Sequence, residues 1–188
     1  MKFIKTVLIV CLVIFSTFTA FSYTLPGEMS ISLKKEINCS ASEVFVLINS
    51  FKNWPIWSPW QEKEPHIQLR ISGKESGKGA IFEWKGRDGK GRMEILEAIA
   101  DKSIQYTMEL RFRTKFKGNF IFTPKEKEKT EVAWQLNTVR KSLNPLQRLG
   151  FKIFKPMMEK DMERGLEKLN EACLPGPSKK SRRYIIEY

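Results

Sequence analysis

From residue 103 to residue 113 the chain alternates without a break: Ile104, Tyr106, Met108, Leu110 and Phe112 are apolar, and the residues between them polar. A period of two sends successive side chains to opposite faces of a strand, so this segment predicts a strand with one buried and one wet face. The same pattern, less strict, predicts strands over 29–38, 66–72, 80–85, 92–98, 115–123 and 129–139. Turn formers separate them: Gly73 to Gly79, Gly86 to Gly89, Ala100-Asp101, and Pro124 to Lys129. Connections this short make neighbours antiparallel, so the strands form a meander whose apolar face needs a cover. Phe82, Trp84, Met93, Phe116, Phe120, Phe122, Val132, Trp134 and Leu136 join that face.

Two helical patterns supply candidates for the cover. Ser40-Ala41-Ser42-Glu43 has the spacing of a capping box and predicts a helix from Ala41 to about Phe51, with Val44, Phe45, Leu47 and Ile48 inward. Asn144-Pro145 opens a longer helix running to Ala172, along which Leu146, Leu149, Ile153, Met157, Met158, Met162, Gly165, Leu166 and Leu169 form an amphipathic stripe. Pro156 lacks the amide proton of that ladder, which predicts a kink or a junction of two helices. Between the first helix and the second strand lies Asn53-Trp54-Pro55-Ile56-Trp57-Ser58-Pro59-Trp60, with three of the chain's five tryptophans. Its prolines predict a stiff irregular loop, and its indoles a wall that seals a core or lines a cavity mouth.

The order of strand, capped helix and N-W-P-x-W-S-P-W resembles the START-like (SRPBCC) superfamily, and within it the membrane-anchored polyketide cyclase/dehydrase-like proteins. Ser76-Gly77-Lys78-Gly79-Ala80 before the Trp84 strand, Gly91-Arg92-Met93-Glu94-Ile95 and the Met-rich helix after Asn144-Pro145 extend the resemblance over residues 29 to 172. It implies an α+β helix-grip fold: an antiparallel sheet curved around a long C-terminal helix, enclosing a hydrophobic cavity. It also implies that the tryptophan loop and that helix gate entry, a role open to Trp57, Trp60 and Met158.

Thr6 to Leu25 carries no charge and is long enough to span a bilayer. The domains read from this are an anchor or signal at 1–25, the START-like domain at 26–174 and a basic tail at 175–188. Ala20-Phe21-Ser22 is an acceptable signal cleavage site, whereas a lipoprotein signal at Cys11 is disfavoured by Val10. The spanning length and the resemblance favour a retained anchor, and Lys2 and Lys5 favour a domain facing away from the cytoplasm. Cys39 and Cys173 could pair in such a compartment, but nothing in the sequence fixes their separation, and two small buried thiols are the expectation.

The chemistry is sparse. His66, the sole histidine, reads as a solvated imidazole; no Cys/His spacing suits a metal, and no cofactor is implied. Ser58 reads as a local backbone cap and not as a nucleophile. Alternation turns Glu83 and Glu94 outward, with Arg92 and Arg113 ambiguous. The net charge of +12 suits an anionic membrane surface or simple solubility. Nucleic-acid binding is not expected, because the aromatics alternate inward and the basic residues outward.

The residues left are apolar. Trp57, Trp60, Phe82, Trp84, Met93, Tyr106, Met108, Phe120, Phe122, Trp134, Met157, Met158 and Met162 are the candidate cavity lining, with Tyr106 the candidate polar contact. From residue types alone they fill a core; the resemblance turns the expectation toward a cavity for a hydrophobic small molecule or lipid. The main alternative is a cyclase or aromatase-like enzyme acting on an apolar substrate, and another is a domain that captures an acidic partner.

Overall fold

A computed structural model describes residues 2–87, 89–110, 114–126, 128–173 and 186–187. Helix α1 (Lys2–Tyr23) is followed by β1 (Ser30–Ile37) and α2 (Ala41–Asn49). A single 3₁₀ turn, Phe51–Asn53, then leads into α3 (Trp54–Trp57) and α4 (Pro59–Lys63). The meander comprises β2 (Gln68–Gly73), β3 (Ala80–Gly86), β4 (Gly89–Ile99), β5 (Ser103–Leu110), β6 (Thr114–Lys125) and β7 (Lys129–Thr138), and α5 (Pro145–Cys173) closes the domain. The antiparallel order is β1-β7-β6-β5-β4-β3-β2, and the two-residue β8 (Ile186–Glu187) lies parallel to β2 at the edge.

The period-two pattern works as its sterics require. Ile104, Tyr106 and Met108 on β5, Phe116, Phe120 and Phe122 on β6, and Val132, Trp134 and Leu136 on β7 are all buried. The meander is continuous because adjacent strands pair in sequence, while β1 closes the far side against β7 with Leu33 opposite Trp134. Two strand glycines make room for rings. Gly118 is paired with Tyr106 and Gly91 with Trp84, and a Cβ at either glycine would overlap the facing ring.

The capping box forms: the Ser40 hydroxyl accepts from the Glu43 amide at 3.4 Å and Glu43 Oε2 accepts from the Ser40 amide at 3.0 Å. Asn144 Oδ1 likewise accepts from the amides of Leu146 and Gln147 at 2.9 and 3.2 Å and starts α5. Pro156 neither ends nor divides α5, which runs as one helix through it. One missing ladder bond is tolerated because the helix is held by packing on both sides, with Phe151 before the proline and Met158, Met162, Leu166 and Leu169 after it in the core.

Three expectations are corrected. The tryptophan segment is not irregular: Pro55 and Pro59 sit in the first turns of α3 and α4, where a missing amide proton costs no ladder bond. Ser58 precedes α4 at its N-cap position but makes no side-chain cap bond. Cys39 and Cys173 form a disulfide, tying the end of α5 to the turn after β1. Those chain ends are already held together, for Asn170 Oδ1 accepts from the Asn38 amide at 2.8 Å and Thr130 Oγ1 donates to the Cys39 carbonyl at 2.8 Å. Arg113 and most of the basic tail lie outside the described residues.

Candidate functional site

Between the sheet and α5 the structure leaves a cavity of about 730 Å³, open on one side. Its floor is Leu69 and Phe82 from β2 and β3, Met93 from β4 and Met108 from β5. Trp60 of α4 and Met158 of α5 form the roof, and Trp84, Leu110, Phe154 and Met157 surround the opening. A volume of this size falls in the range of about 300–1,000 Å³ that accommodates small-molecule ligands.

The candidate lining residues separate into two groups. Trp60, Phe82, Trp84, Met93, Met108, Met157 and Met158 border the cavity. Trp57, Tyr106, Phe120, Phe122, Trp134 and Met162 are packed in the adjoining core. Trp57 and Trp134 stand edge to face at 5.9 Å, and Trp60 meets Trp134 at 6.1 Å, so the core indoles form the rigid backing of the cavity wall. Indole protons are satisfied locally: Trp54 Nε1 donates to the Ile48 carbonyl at 3.0 Å and Trp57 Nε1 to that of Leu47 at 3.1 Å. Gly165 lets α5 approach Trp134, because a Cβ there would lie 2.9 Å from the indole.

Tyr106 is committed elsewhere. Its hydroxyl accepts from Trp134 Nε1 at 2.8 Å, and burial drives its pKa far above the usual phenol value. Two buried polar residues line the cavity, Ser58 and Gln61, and Gln61 is one the sequence reading missed. Gln61 is only 3% exposed, and its Oε1 is buried with no hydrogen-bond partner among the described residues. An orphan buried carbonyl costs roughly 1–3 kcal/mol, a cost removed when a bound molecule donates to it. Its placement follows from the short helix α4, whose buried residues are Pro59 and Gln61.

The charged residues that line the cavity are Lys63, Glu64, Arg87, Lys90 and Asp161. Lys63 Nζ pairs with Asp161 Oδ1, joining α4 to α5 over the cavity, and Glu64 Oε1 accepts from the Arg87 amide at 2.6 Å. Glu62 holds Lys168 at 3.2 Å, and hydrogen bonding to that lysine lowers the Glu62 pKa. His66 is exposed, and Glu94 lies on the outer side of β4, paired with Arg92 at 2.8 Å. Among the described residues no cluster of His, Cys, Asp or Glu could hold a metal ion.

Met157 was expected inward with the helix stripe, and so were Leu146 and Ile153. All three are exposed, at 57%, 70% and 59%. The reason is a change of phase: Leu146, Leu149, Ile153 and Met157 mark one side of α5, while Met158, Met162, Gly165 and Leu169 mark another, one residue or about 100° further round. In the first half the inward side belongs to Arg148 and Phe151.

Arg148 is 6% exposed and holds the end of α1. Its Nε donates to the Ser22 carbonyl at 2.8 Å and its Nη2 to the Tyr23 carbonyl at 2.8 Å, with the Leu25 carbonyl also within reach. The guanidinium lies over the Tyr23 ring at 5.1 Å. It thereby satisfies carbonyls left open at a helix C-terminus and opposes the negative end of the helix dipole. Helix α1 is 22 residues long and contains an 18-residue stretch with a mean hydropathy of 2.2, long and apolar enough to cross a membrane.

A seven-stranded antiparallel sheet wrapped on one long helix, with an apolar cavity between them, defines a helix-grip domain. The chain belongs to the family described as polyketide cyclase / dehydrase and lipid transport, whose model matches residues 28–173. No curated protein matches the sequence. Among solved structures it is similar to truncated norcoclaurine synthase from Thalictrum flavum, with 13% identity, a TM-score of 0.59, and 80% of this chain and 96% of that chain covered. It is also similar to XoxI from Bacillus cereus, with 18% identity, a TM-score of 0.55 and coverage of 78% and 96%. A third, SA2116 from Staphylococcus aureus, a protein of unknown function, has 13% identity, a TM-score of 0.59 and coverage of 78% and 93%. Identities this low carry the fold alone.

Proposed function

We propose that this protein is a membrane-tethered binding domain that holds a hydrophobic small molecule or lipid in the cavity between sheet and α5. The observation that carries the reading is a largely apolar cavity of about 730 Å³ lined by Gln61, whose buried oxygen has no partner among the described residues. Burying apolar ligand surface there contributes about 25 cal/mol per Å², and a ligand hydroxyl or amide donating to Gln61 sets its orientation. Of the groups able to move protons at the cavity, Lys63 and Asp161 pair with each other, Glu64 accepts from the Arg87 amide, and Tyr106 is spent on Trp134. That arrangement favours holding a molecule over cyclising it.

The tether is read from α1. A cut after Ser22 would remove the Ser22 carbonyl that accepts from Arg148 Nε and the helix that fixes Tyr23 beside the guanidinium, which favours a retained anchor. The Cys39–Cys173 bond favours a domain on the oxidising side of the membrane.

The test is made on the full chain in mild detergent, with N-phenyl-1-naphthylamine as a fluorescent apolar probe and native mass spectrometry for copurified lipid. Met108→Trp, which fills the cavity, is expected to abolish probe fluorescence while leaving the fold intact by circular dichroism. Equal probe binding by the wild type and Met108→Trp would sink the reading.

A further inference from the structure

The outward side of α5 changes chemistry halfway along its length. Leu146, Leu149, Ile153 and Met157 follow one another there at steps of three and four residues, and three of the four are largely exposed. Beyond them the same side carries Lys160, Arg164, Glu167 and Glu171, with Arg164 paired to Glu167 and Glu171 at 3.4 and 3.1 Å. The second half is an ordinary solvated helix face. The first half leaves a run of large apolar side chains without protein cover, a pattern that marks an interaction surface.

Two further observations identify what covers it. Charge is one-sided: residues 140–157 contain Arg140, Lys141, Arg148, Lys152 and Lys155 and no acidic residue, whereas residues 158–173 contain both signs. An exposed helix with an apolar side and basic flanks suits an anionic lipid surface, and two such faces would repel each other across a dimer. Position is the second. Tyr23, at the end of α1, donates its hydroxyl to the Leu143 carbonyl at 3.4 Å, so the apolar run starts where the spanning helix ends. It finishes at Met157, beside Phe154 at the cavity opening.

From these observations we infer that the outward face of α5 from Leu143 to Met157 lies in the surface of the bilayer that holds α1. Its apolar side chains sit among the outer acyl chains, and the exposed Arg140, Lys141 and Lys152 meet anionic headgroups. The cavity thus opens onto lipid and not onto bulk water. This inference rests on the reading of α1 as a retained anchor.

The test uses the full chain carrying Cys11→Ala, with the disulfide intact, reconstituted in phosphatidylcholine vesicles containing phosphatidylglycerol. A nitrobenzoxadiazole label is placed through Ile153→Cys in one sample and Glu167→Cys in another. The label at 153 is expected to emit to the blue and to be quenched by spin-labelled phospholipid, and the label at 167 to behave as in water. Adding Leu146→Glu is expected to return the 153 label toward water. If the chain floats with the vesicles and both labels report water, the docking inference fails while the anchor stands. If labels at 153 transfer energy between copies without lipid quenching, a second copy covers the face and the inference fails. A chain that does not float fails at the anchor, and probe binding in detergent reports on the cavity separately.

Discussion

The Cys39–Cys173 bond closes a loop of 134 residues, nearly the whole folded domain. In the chain-entropy account, a cross-link over a loop that long removes about 17 cal/mol/K from the unfolded ensemble, or about 5 kcal/mol at 25 °C. Reduction leaves both thiols in place, so the perturbation is confined to the link and creates no packing void. With a urea dependence of about 2 kcal/mol/M for a domain of this size, the unfolding midpoint is expected to fall by about 2.5 M on reduction. The assay is urea unfolding of the full chain in detergent, followed by tryptophan fluorescence with and without dithiothreitol, with the bond state verified by mass spectrometry. Coincident midpoints for verified oxidised and reduced samples would refute the reasoning. Free thiols in protein exported to an oxidising compartment would refute the pairing itself.

Replacing Gln61 by leucine removes a buried oxygen that lacks a partner, so thermal stability is expected to rise by about 1 kcal/mol. In the same variant the preference for a long-chain alcohol over the matching alkane is expected to fall roughly 5- to 10-fold, measured by displacement of the naphthylamine probe. Gly118→Val forces the Tyr106 ring aside and breaks its bond to Trp134, at a cost of roughly 1–3 kcal/mol read from thermal unfolding. Tyr106 ionises in the unfolded chain near the usual phenol pKa of about 10, but only at much higher pH when folded. The unfolded state therefore loses its proton first, stability falls as pH rises above about 10, and the Tyr106 contribution to tyrosinate absorbance should appear only with unfolding. A variant with Tyr106→Phe should show a shallower decline.

Much of the fold was legible because the strands obey a simple steric rule. Alternation over Ile104 to Leu110 placed the buried face correctly, and Ser40-x-x-Glu43 and Asn144-Pro145 located two helix starts. Other features were illegible for physical reasons. A disulfide depends on the distance between two segments that the chain brings together only through α5, so residue spacing could not reveal it. Gln61 lies in a polar run, Gln61-Glu62-Lys63-Glu64, and its burial depends on Pro59 starting a helix and not ending one. Arg148 falls between two leucines in sequence but is covered by the end of α1, a contact over more than a hundred residues. The clue overlooked in α5 was the adjacent pair Met157-Met158: a repeat that advances by one residue has moved to another side of the helix.

The Arg148 grip has a mechanical consequence for the proposed carrier. Three carbonyls held by one guanidinium make a root that cannot swivel freely, so with α1 as the proposed tether the cavity would keep a set height and bearing above the bilayer. Such a device cannot ferry cargo across an aqueous gap; it serves one leaflet, like a mooring post, and whatever receives the molecule must drift laterally to meet it.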